Sequence, residues 1–180
     1  MRRAAIAACL LLAACSPSAP VTTPTGDELE ILVESEGFQN GTAIPEVYTC
    51  DGRNISPALE WFGVPEDTIE LALVVRDLDA TGGVFIHWTV WGMDPGVTGV
   101  GIDSAPEGGV QGQTSAGSVG YTGPCPQPGD PQHEYVFTVT AMRGKVIAEE
   151  GAEPANVLQR IEDLKIAEGH LRGFYATEVS

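Results

Sequence analysis

Hydrophobic positions along the chain fall into short runs separated by turn residues, a pattern typical of a strand-rich protein. Apolar or alternating runs lie at residues 29–33, 58–61, 69–75, 84–91 and 135–142. The run at 69–75 is nearly continuous in apolar residues, as in a strand buried on both faces. The runs at 84–91 and 135–142 are rich in β-branched and aromatic residues, which favour strands. The pattern therefore predicts a mainly β domain with residues 69–75 as a central strand.

One helix is predicted near the C-terminus. Pro154 suits a first helical turn, and Gly169 is a plausible end for the helix. A last strand is expected at residues 171–179. The apolar positions that repeat on one helical face are Val157, Leu158, Ile161 and Leu164.

A long segment between the predicted strands carries little regular pattern. Residues 96–129 are full of Gly, Pro, Ser and Gln. Long irregular segments of compact domains are usually functional. We therefore expect this segment to contribute to a site.

Composition supports a single folded domain and argues against nucleic-acid binding. The 180 residues include 43% hydrophobic and 19% charged residues, ordinary values for a globular protein. The 22 glycines and 13 prolines agree with many turns. Nine basic side chains face 25 acidic ones, a formal charge of −16. No basic stripe is present to neutralise phosphates, so we expect no nucleic-acid partner.

The first fifteen residues, MRRAAIAACLLLAAC, have the pattern of an export signal. Arg2 and Arg3 form the positive start, and the apolar stretch 4–14 is too short to span a bilayer. Residues 12–15 resemble the processing box of bacterial lipoproteins, in which the chain is cut before the Cys and the Cys is lipidated. The alternative is a plain signal peptide in which Cys15 is incidental. With Ser16 rather than Asp after the Cys, we expect anchoring in the cell envelope, at the outer membrane and facing the periplasm.

This interpretation divides the chain into three parts and changes its charge. Residues 1–14 are the signal, 15–28 the lipidated Cys15 and a flexible Pro/Thr-rich tether, and 29–180 the domain. Loss of Arg2 and Arg3 leaves seven basic and 25 acidic side chains, a formal −18. Cys50 and Cys125 then remain as one pair in an oxidising compartment, where a disulfide is expected. Two buried free thiols are the alternative.

The chain has three histidines, at positions 87, 133 and 170. Strand alternation puts His87 on one face with Phe85 and Thr89, and places Ile86, Trp88 and Val90 on the other. A buried imidazole needs a hydrogen-bond partner, and the nearest carboxylates in sequence are those of Asp77 and Asp79. From spacing alone, a structural or solvent-exposed role for each histidine stays open.

Four segments in a fixed order resemble the phosphatidylethanolamine-binding protein family, in its bacterial YbhB/YbcL, Raf-kinase-inhibitor-like branch. They are FQNGTAIPEVYTCDGRNISPALEW, RDLDATGGVFIHWTVW, GQTSAGSVGYTGPCPQPGDPQHEYVFTVTA and LRGFY. The resemblance spans about residues 38–175. It implies a PEBP-like antiparallel β-sandwich with Greek-key connections and one C-terminal α-helix.

The resemblance also implies a small, partly exposed pocket for phosphate-like or carboxylate anions, including a phospholipid headgroup. Asp77 is expected to accept a proton from one histidine nitrogen, and imidazoles, a phenol and loop amides are expected to supply donors. Binding should be weak and stronger below about pH 6.5, where histidine gains charge. The residues carried over are Asp77, Asp79, Phe85, His87, Gly123, Pro124, Cys125, His133 and Tyr135.

Several positions depart from the family pattern. Glu134 replaces an Arg, which removes a possible ion pair, and His170 does not match the family's helix histidine and is taken as a surface residue. These changes leave ligand preference open. The remaining departures are Leu78, Thr81, Ala116 and Gln127.

The expected function is a non-catalytic binding protein anchored to the envelope, with no cofactor. One alternative is an inhibitor of a protease or kinase through a protein partner that the sequence does not identify. Another is a hydrolase, either at Ser118, within a pattern close to G-x-S-x-G, or with His87, His133 and an Asp around a metal. The resemblance brings no metal with it, so we expect none.

Overall fold

The computed structural model of the chain describes residues 30–179. In this part the elements are nine strands, a short 3-10 helix at Glu46–Tyr48 and one α-helix. The strands are β1 (Leu32–Glu34), β2 (Thr42–Ala43), β3 (Leu59–Phe62), β4 (Glu70–Asp77), β5 (Phe85–Met93), β6 (Gly99–Val100), β7 (Val110–Gln111), β8 (His133–Met142) and β9 (Lys165–Tyr175), and the helix is α1 (Pro154–Leu164).

The strands form two sheets, and the predicted mainly β sandwich with one helix is confirmed. The larger sheet has the order β2-β9-β8-β4-β5-β7 and the smaller one β1-β3-β6. Neighbouring strands within each sheet run antiparallel, except that β2 and β9 are parallel. The main core contains side chains from both sheets, among them Val33, Trp61, Leu73, Val75, Trp88 and Phe137. On the other face of the larger sheet, Val157 and Ile161 of α1 pack against Ala72, Val74 and Trp91.

The central strand is placed as predicted, because β4 lies between β5 and β8 in the larger sheet. Its residues are almost entirely buried. The segment 96–129 is largely irregular, with two strands of two residues each, β6 and β7. The expected signal, Cys15 and the tether lie outside the described residues. Among residues 30–179, no helix has the length and apolar character needed to cross a bilayer.

The predicted end of the helix is wrong. α1 stops at Leu164, and the last strand starts at Lys165 and ends at Tyr175 rather than covering 171–179. Gly169 therefore lies inside β9. A Cβ at this position would collide with the backbone carbonyl oxygen of Ile31. The glycine thus permits the N-terminal segment to cross close to β9, and it does not end a helix.

The expected alternation along β5 is also wrong beyond His87. Ile86 pairs with Arg76 of β4, but Trp88 pairs with Val75, so His87 is an extra residue in a β-bulge. Because of this bulge, His87 and Trp88 both face the main core side, whereas Ile86 packs on the helix side. Thr89, opposite Val74, faces the helix side as well. The bulge aims His87 at the pocket described below.

Candidate functional site

A cavity of about 200 Å³ opens where β4 ends and β5 and β8 begin. The antiparallel register brings Asp77, Phe85 and Tyr135 side by side at this edge. Two loops, at 80–81 and 122–130, complete the wall. The lining residues are Asp77, Ala80, Thr81, Phe85, His87, Thr122, Gly123, Cys125, Pro126, Gln127, Asp130 and His133.

Asp77 holds His133 in a defined orientation. The Nδ1 atom of His133 lies 2.8 Å from Asp77 Oδ2, and both side chains are buried. A carboxylate in this position accepts a hydrogen bond from Nδ1–H, which leaves Nε2 as the free ring nitrogen. That nitrogen lies 3.9 Å from the carboxylate oxygen Oδ2 of Asp130.

His87 has a different partner from the one expected. Its Nδ1–H donates to the Thr122 carbonyl over 2.7 Å, while its Nε2 lies 4.0 Å from Asp77 Oδ2. Burial lowers the pKa of His87, and the Thr122 carbonyl and Asp77 offset part of this effect. The backbone carbonyl, which sequence reasoning did not consider, therefore fixes the His87 tautomer, and the neutral ring is favoured.

Aromatic rings surround His87. The Phe85 ring centroid lies 4.7 Å from that of His87, and the Tyr135 ring approaches edge-on at 5.3 Å. Tyr135 is fully buried and is not among the lining residues. Burial, reinforced by Asp77, raises the pKa of its hydroxyl. Tyr135 is therefore a neutral support behind the histidines.

The loop at 122–130 lies at the cavity as expected, and Gly123 is one of its lining residues. The Gly123 N–H already donates to Asn54 Oδ1 over 2.7 Å, so any contact of Gly123 with a ligand would use other atoms. Pro124 is buried and does not line the cavity. Cys125 does line it, and the predicted disulfide to Cys50 is present.

Asp79 lies outside the cavity lining and serves the backbone. Its carboxylate accepts the Glu134 N–H over 2.8 Å, and its own N–H donates to Asp77 Oδ1 over 2.9 Å. Glu134, expected to remove an ion pair, instead forms one with Arg172. Asp79 thus joins the start of β8 to the end of β4.

Sequence reasoning missed Thr122 and Asp130 as lining residues. Thr122 acts through its backbone, which no side-chain pattern reveals. Asp130 sits in a Pro/Gly-rich loop where no periodic signal exists. The cavity contains the carboxyl groups of Asp77 and Asp130 and no Lys or Arg among its lining residues.

Ser118 and His170 lie outside the cavity lining. The Ser118 hydroxyl is hydrogen-bonded to the hydroxyls of Thr114 and Thr122, at 2.9 and 3.1 Å. His170 is half-buried rather than a plain surface residue, and its Nδ1 lies 3.1 Å from the Thr138 hydroxyl. Within residues 30–179, no group of three or more His, Cys, Asp or Glu side chains is placed to hold a metal ion.

Comparison with known proteins gives one consistent family. The family model described as phosphatidylethanolamine-binding protein matches residues 34–176. A UPF0098 protein of Methanothermobacter thermautotrophicus is 38% identical over 148 residues, covering 79% of this chain and 97% of that protein. LppC of Mycobacterium tuberculosis, which is named as a lipoprotein, is 35% identical over 154 residues, covering 86% and 76%. The crystal structure of Escherichia coli YbcL matches with a TM-score of 0.78 and 33% identity, covering 84% of this chain and 99% of that one.

Proposed function

Since this chain belongs to the phosphatidylethanolamine-binding protein family, we propose that it is a non-catalytic, envelope-anchored binding protein whose pocket takes a small oxyanion together with a proton. The ligand class is a phosphate, phosphate monoester or carboxylate, of which a phospholipid headgroup is one source. The observation that carries the proposal is the hydrogen bonding of the two pocket histidines.

Both imidazoles use their Nδ1–H groups inside the protein. His87 donates to the Thr122 carbonyl and His133 to Asp77. In the neutral ring the remaining Nε2 atom is an acceptor and repels an oxyanion. After protonation the same atom becomes a charged donor, the kind that binds phosphate and carboxylate oxygens well. Anion binding therefore takes up a proton.

The rest of the pocket does not favour an anion, so anion binding should depend strongly on protonation of the two histidines. Asp77 and Asp130 add negative charge to the cavity, and the Gly123 amide is already bonded to Asn54. The net charge of the chain, −16 for the full sequence, opposes long-range attraction of anions. Affinity depends on the local imidazolium donors, so binding should be weak at neutral pH and should tighten as the pH falls below about 6.5, the ordinary pKa of histidine. Burial lowers the pKa of His87, so its contribution should appear at a lower pH than that.

The test is a titration with inorganic phosphate at pH 5.5 and 7.5, followed through the histidine NMR signals. We expect shifts of the His87 and His133 signals and tighter binding at pH 5.5. His133→Gln and His87→Gln should each weaken binding at pH 5.5 by roughly tenfold or more, because a hydrogen bond to a charged group contributes about 1.5–3 kcal/mol.

His170→Gln is the matched control, since His170 is not among the lining residues, and it should bind as the unchanged protein does. Two outcomes contradict the proposal. One is the absence of shifts at millimolar phosphate at both pH values. The other is binding that is equally tight at pH 5.5 and 7.5.

A further inference from the structure

The Cys50–Cys125 disulfide lies at the mouth of the candidate pocket. Cys125 is a lining residue, and both cysteines are exposed to solvent. Exposed disulfides are more accessible to thiol–disulfide exchange than buried ones and are more often labile or regulatory. Because Cys125 lines the cavity, exchange at this disulfide would act directly on the pocket wall.

On the N-terminal side of Cys125, the loop is held by several other contacts. Tyr121 Oη–H donates to the Tyr48 carbonyl over 2.9 Å, and Gly123 N–H to Asn54 Oδ1 over 2.7 Å. The Cys50 N–H donates to the Pro124 carbonyl over 3.0 Å. Residues 121–124 therefore keep their place without the disulfide.

On the C-terminal side of Cys125, the loop has fewer such contacts. Residues 126–132, here called the arc, have the sequence PQPGDPQ and are mostly exposed. Within the described part of the chain, the backbone hydrogen bond of the arc is internal, from Asp130 N–H to the Gln127 carbonyl. The arc is held at one end by Cys125 and at the other by His133, the first residue of β8. It supplies Pro126, Gln127 and Asp130 to the pocket wall.

We propose that the Cys50–Cys125 disulfide is a redox-active site whose reduction releases the arc and weakens the pocket. The reductant is a dithiol, either a small molecule or a dithiol protein of the envelope. The effect on ligand affinity rests on the proposed function, whereas the release of the arc does not.

The chemistry is a two-electron exchange. One thiolate of the dithiol attacks a sulfur of the disulfide, the S–S bond breaks, and the other cysteine leaves as a thiolate that takes a proton from water. The second thiolate of the dithiol then attacks the mixed disulfide and frees the remaining cysteine. The protein ends as two thiols and the dithiol as a disulfide.

Release of the arc affects the pocket through order and through charge. A mobile arc must be ordered again when a ligand binds, which costs free energy and lowers affinity. Its movement also takes the Asp130 carboxylate away from His133 Nε2, now 3.9 Å apart, which removes negative charge from the cavity and offsets part of that loss of affinity. The histidine signals therefore report reduction even without a ligand.

The test uses the full chain purified from the envelope, with and without millimolar dithiothreitol under native conditions. Thiol trapping with peptide mapping should show Cys50 and Cys125 free after treatment. Reduction should shift the His133 NMR signal, speed hydrogen exchange of the Asp130 amide, and weaken phosphate binding at pH 5.5 by roughly tenfold. The Cys50→Ala/Cys125→Ala variant should match the reduced chain and should not respond to dithiothreitol.

Each part has its own contrary result. A disulfide that resists dithiothreitol in the folded chain but not in denaturant is purely structural and overturns the proposal. Reduction that leaves the His133 signal and Asp130 exchange unchanged overturns the coupling to the pocket. If phosphate binds neither form, the proposed function fails, while the histidine and exchange data still decide whether the arc is released.

Discussion

At the residue scale, the hydrogen-bond partners of two histidines determine what the pocket can do. His87 and His133 are both buried, and each has one nitrogen committed to the protein. In the neutral tautomer that these bonds favour, the Nε2 atom of each ring accepts rather than donates. Under the proposed function, protonation turns the same atoms into donors, so we expect pH to affect binding, and the lowered pKa of His87 should make stability depend on pH as well.

The stability of the fold should fall on acidification partly because of His87. Its pKa in the folded state is lowered by burial, so the unfolded chain, with an ordinary pKa of about 6.5, takes up the proton first. The contribution is present above pH 6.5 and is lost as the pH falls through the lower folded pKa. Denaturant unfolding at pH 7.5 and 5.5 should show a smaller acid-induced loss for His87→Gln than for the unchanged protein.

His170→Gln, which removes a histidine outside the cavity lining, is measured alongside as the comparison variant. Equal losses for the unchanged protein and for His87→Gln would contradict the argument. Phosphate should reduce the loss at pH 5.5 in the unchanged protein, because a ligand that binds the folded state stabilises it.

At the element scale, the strands with the strongest pattern were predictable and their irregularities were not. Residues 69–75 form most of β4, because a long apolar run has few alternatives to a central strand. The bulge at His87 adds one residue to β5 and reverses the facing of the residues from Trp88 onward, and periodicity has no means to locate such an insertion. The end of α1 was misplaced for a similar reason. Gly169 is needed because the Ile31 backbone lies against it, and this tertiary contact is not visible in the sequence.

The same distinction applies to the pocket, where some residues could be predicted from the sequence and others could not. Asp77, His87 and His133 could be assigned from the resemblance because their side chains carry the chemistry. Thr122 and Asn54 could not, since one acts through a carbonyl and the other by occupying an amide. Asp79 was assigned to the site but supports the backbone of β8.

The close approach of the N-terminal segment to Gly169 of β9 leads to a stability prediction. Gly169→Ala places a Cβ against the Ile31 carbonyl, where backbone must move. Overpacking of this kind costs about 1–3 kcal/mol, and we expect the upper end because both partners are backbone. Denaturant unfolding measures the loss. Gly101→Ala is the control, since its Cβ would make an ordinary contact with the Ser104 hydroxyl, and equal stability of the two variants would exclude the close approach as the cause.

At the scale of the whole molecule, the negative charge of the chain and its proposed lipid anchor have opposite effects on attachment to a membrane. A chain with 25 acidic and nine basic residues is repelled by anionic lipids, so the expected lipid on Cys15 should be the sole source of membrane attachment. A multiply acylated cysteine meets the requirement that stable anchoring take more than one chain. The relative LppC, named as a lipoprotein, agrees with this proposal.

Cys15→Ala separates the anchor from the domain. If the lipid alone holds the protein, the variant should leave the membrane fraction and appear as soluble protein of the envelope, with phosphate binding at pH 5.5 unchanged. Cys9→Ala is the matched control, because Cys9 belongs to the expected signal, and it should stay with the membrane. N-terminal mass analysis of Cys15→Ala shows whether the signal was removed. Retention of correctly processed Cys15→Ala after a high-salt wash would mean that the domain itself contacts the membrane, because salt weakens attachment through surface charge but not burial of apolar side chains in lipid.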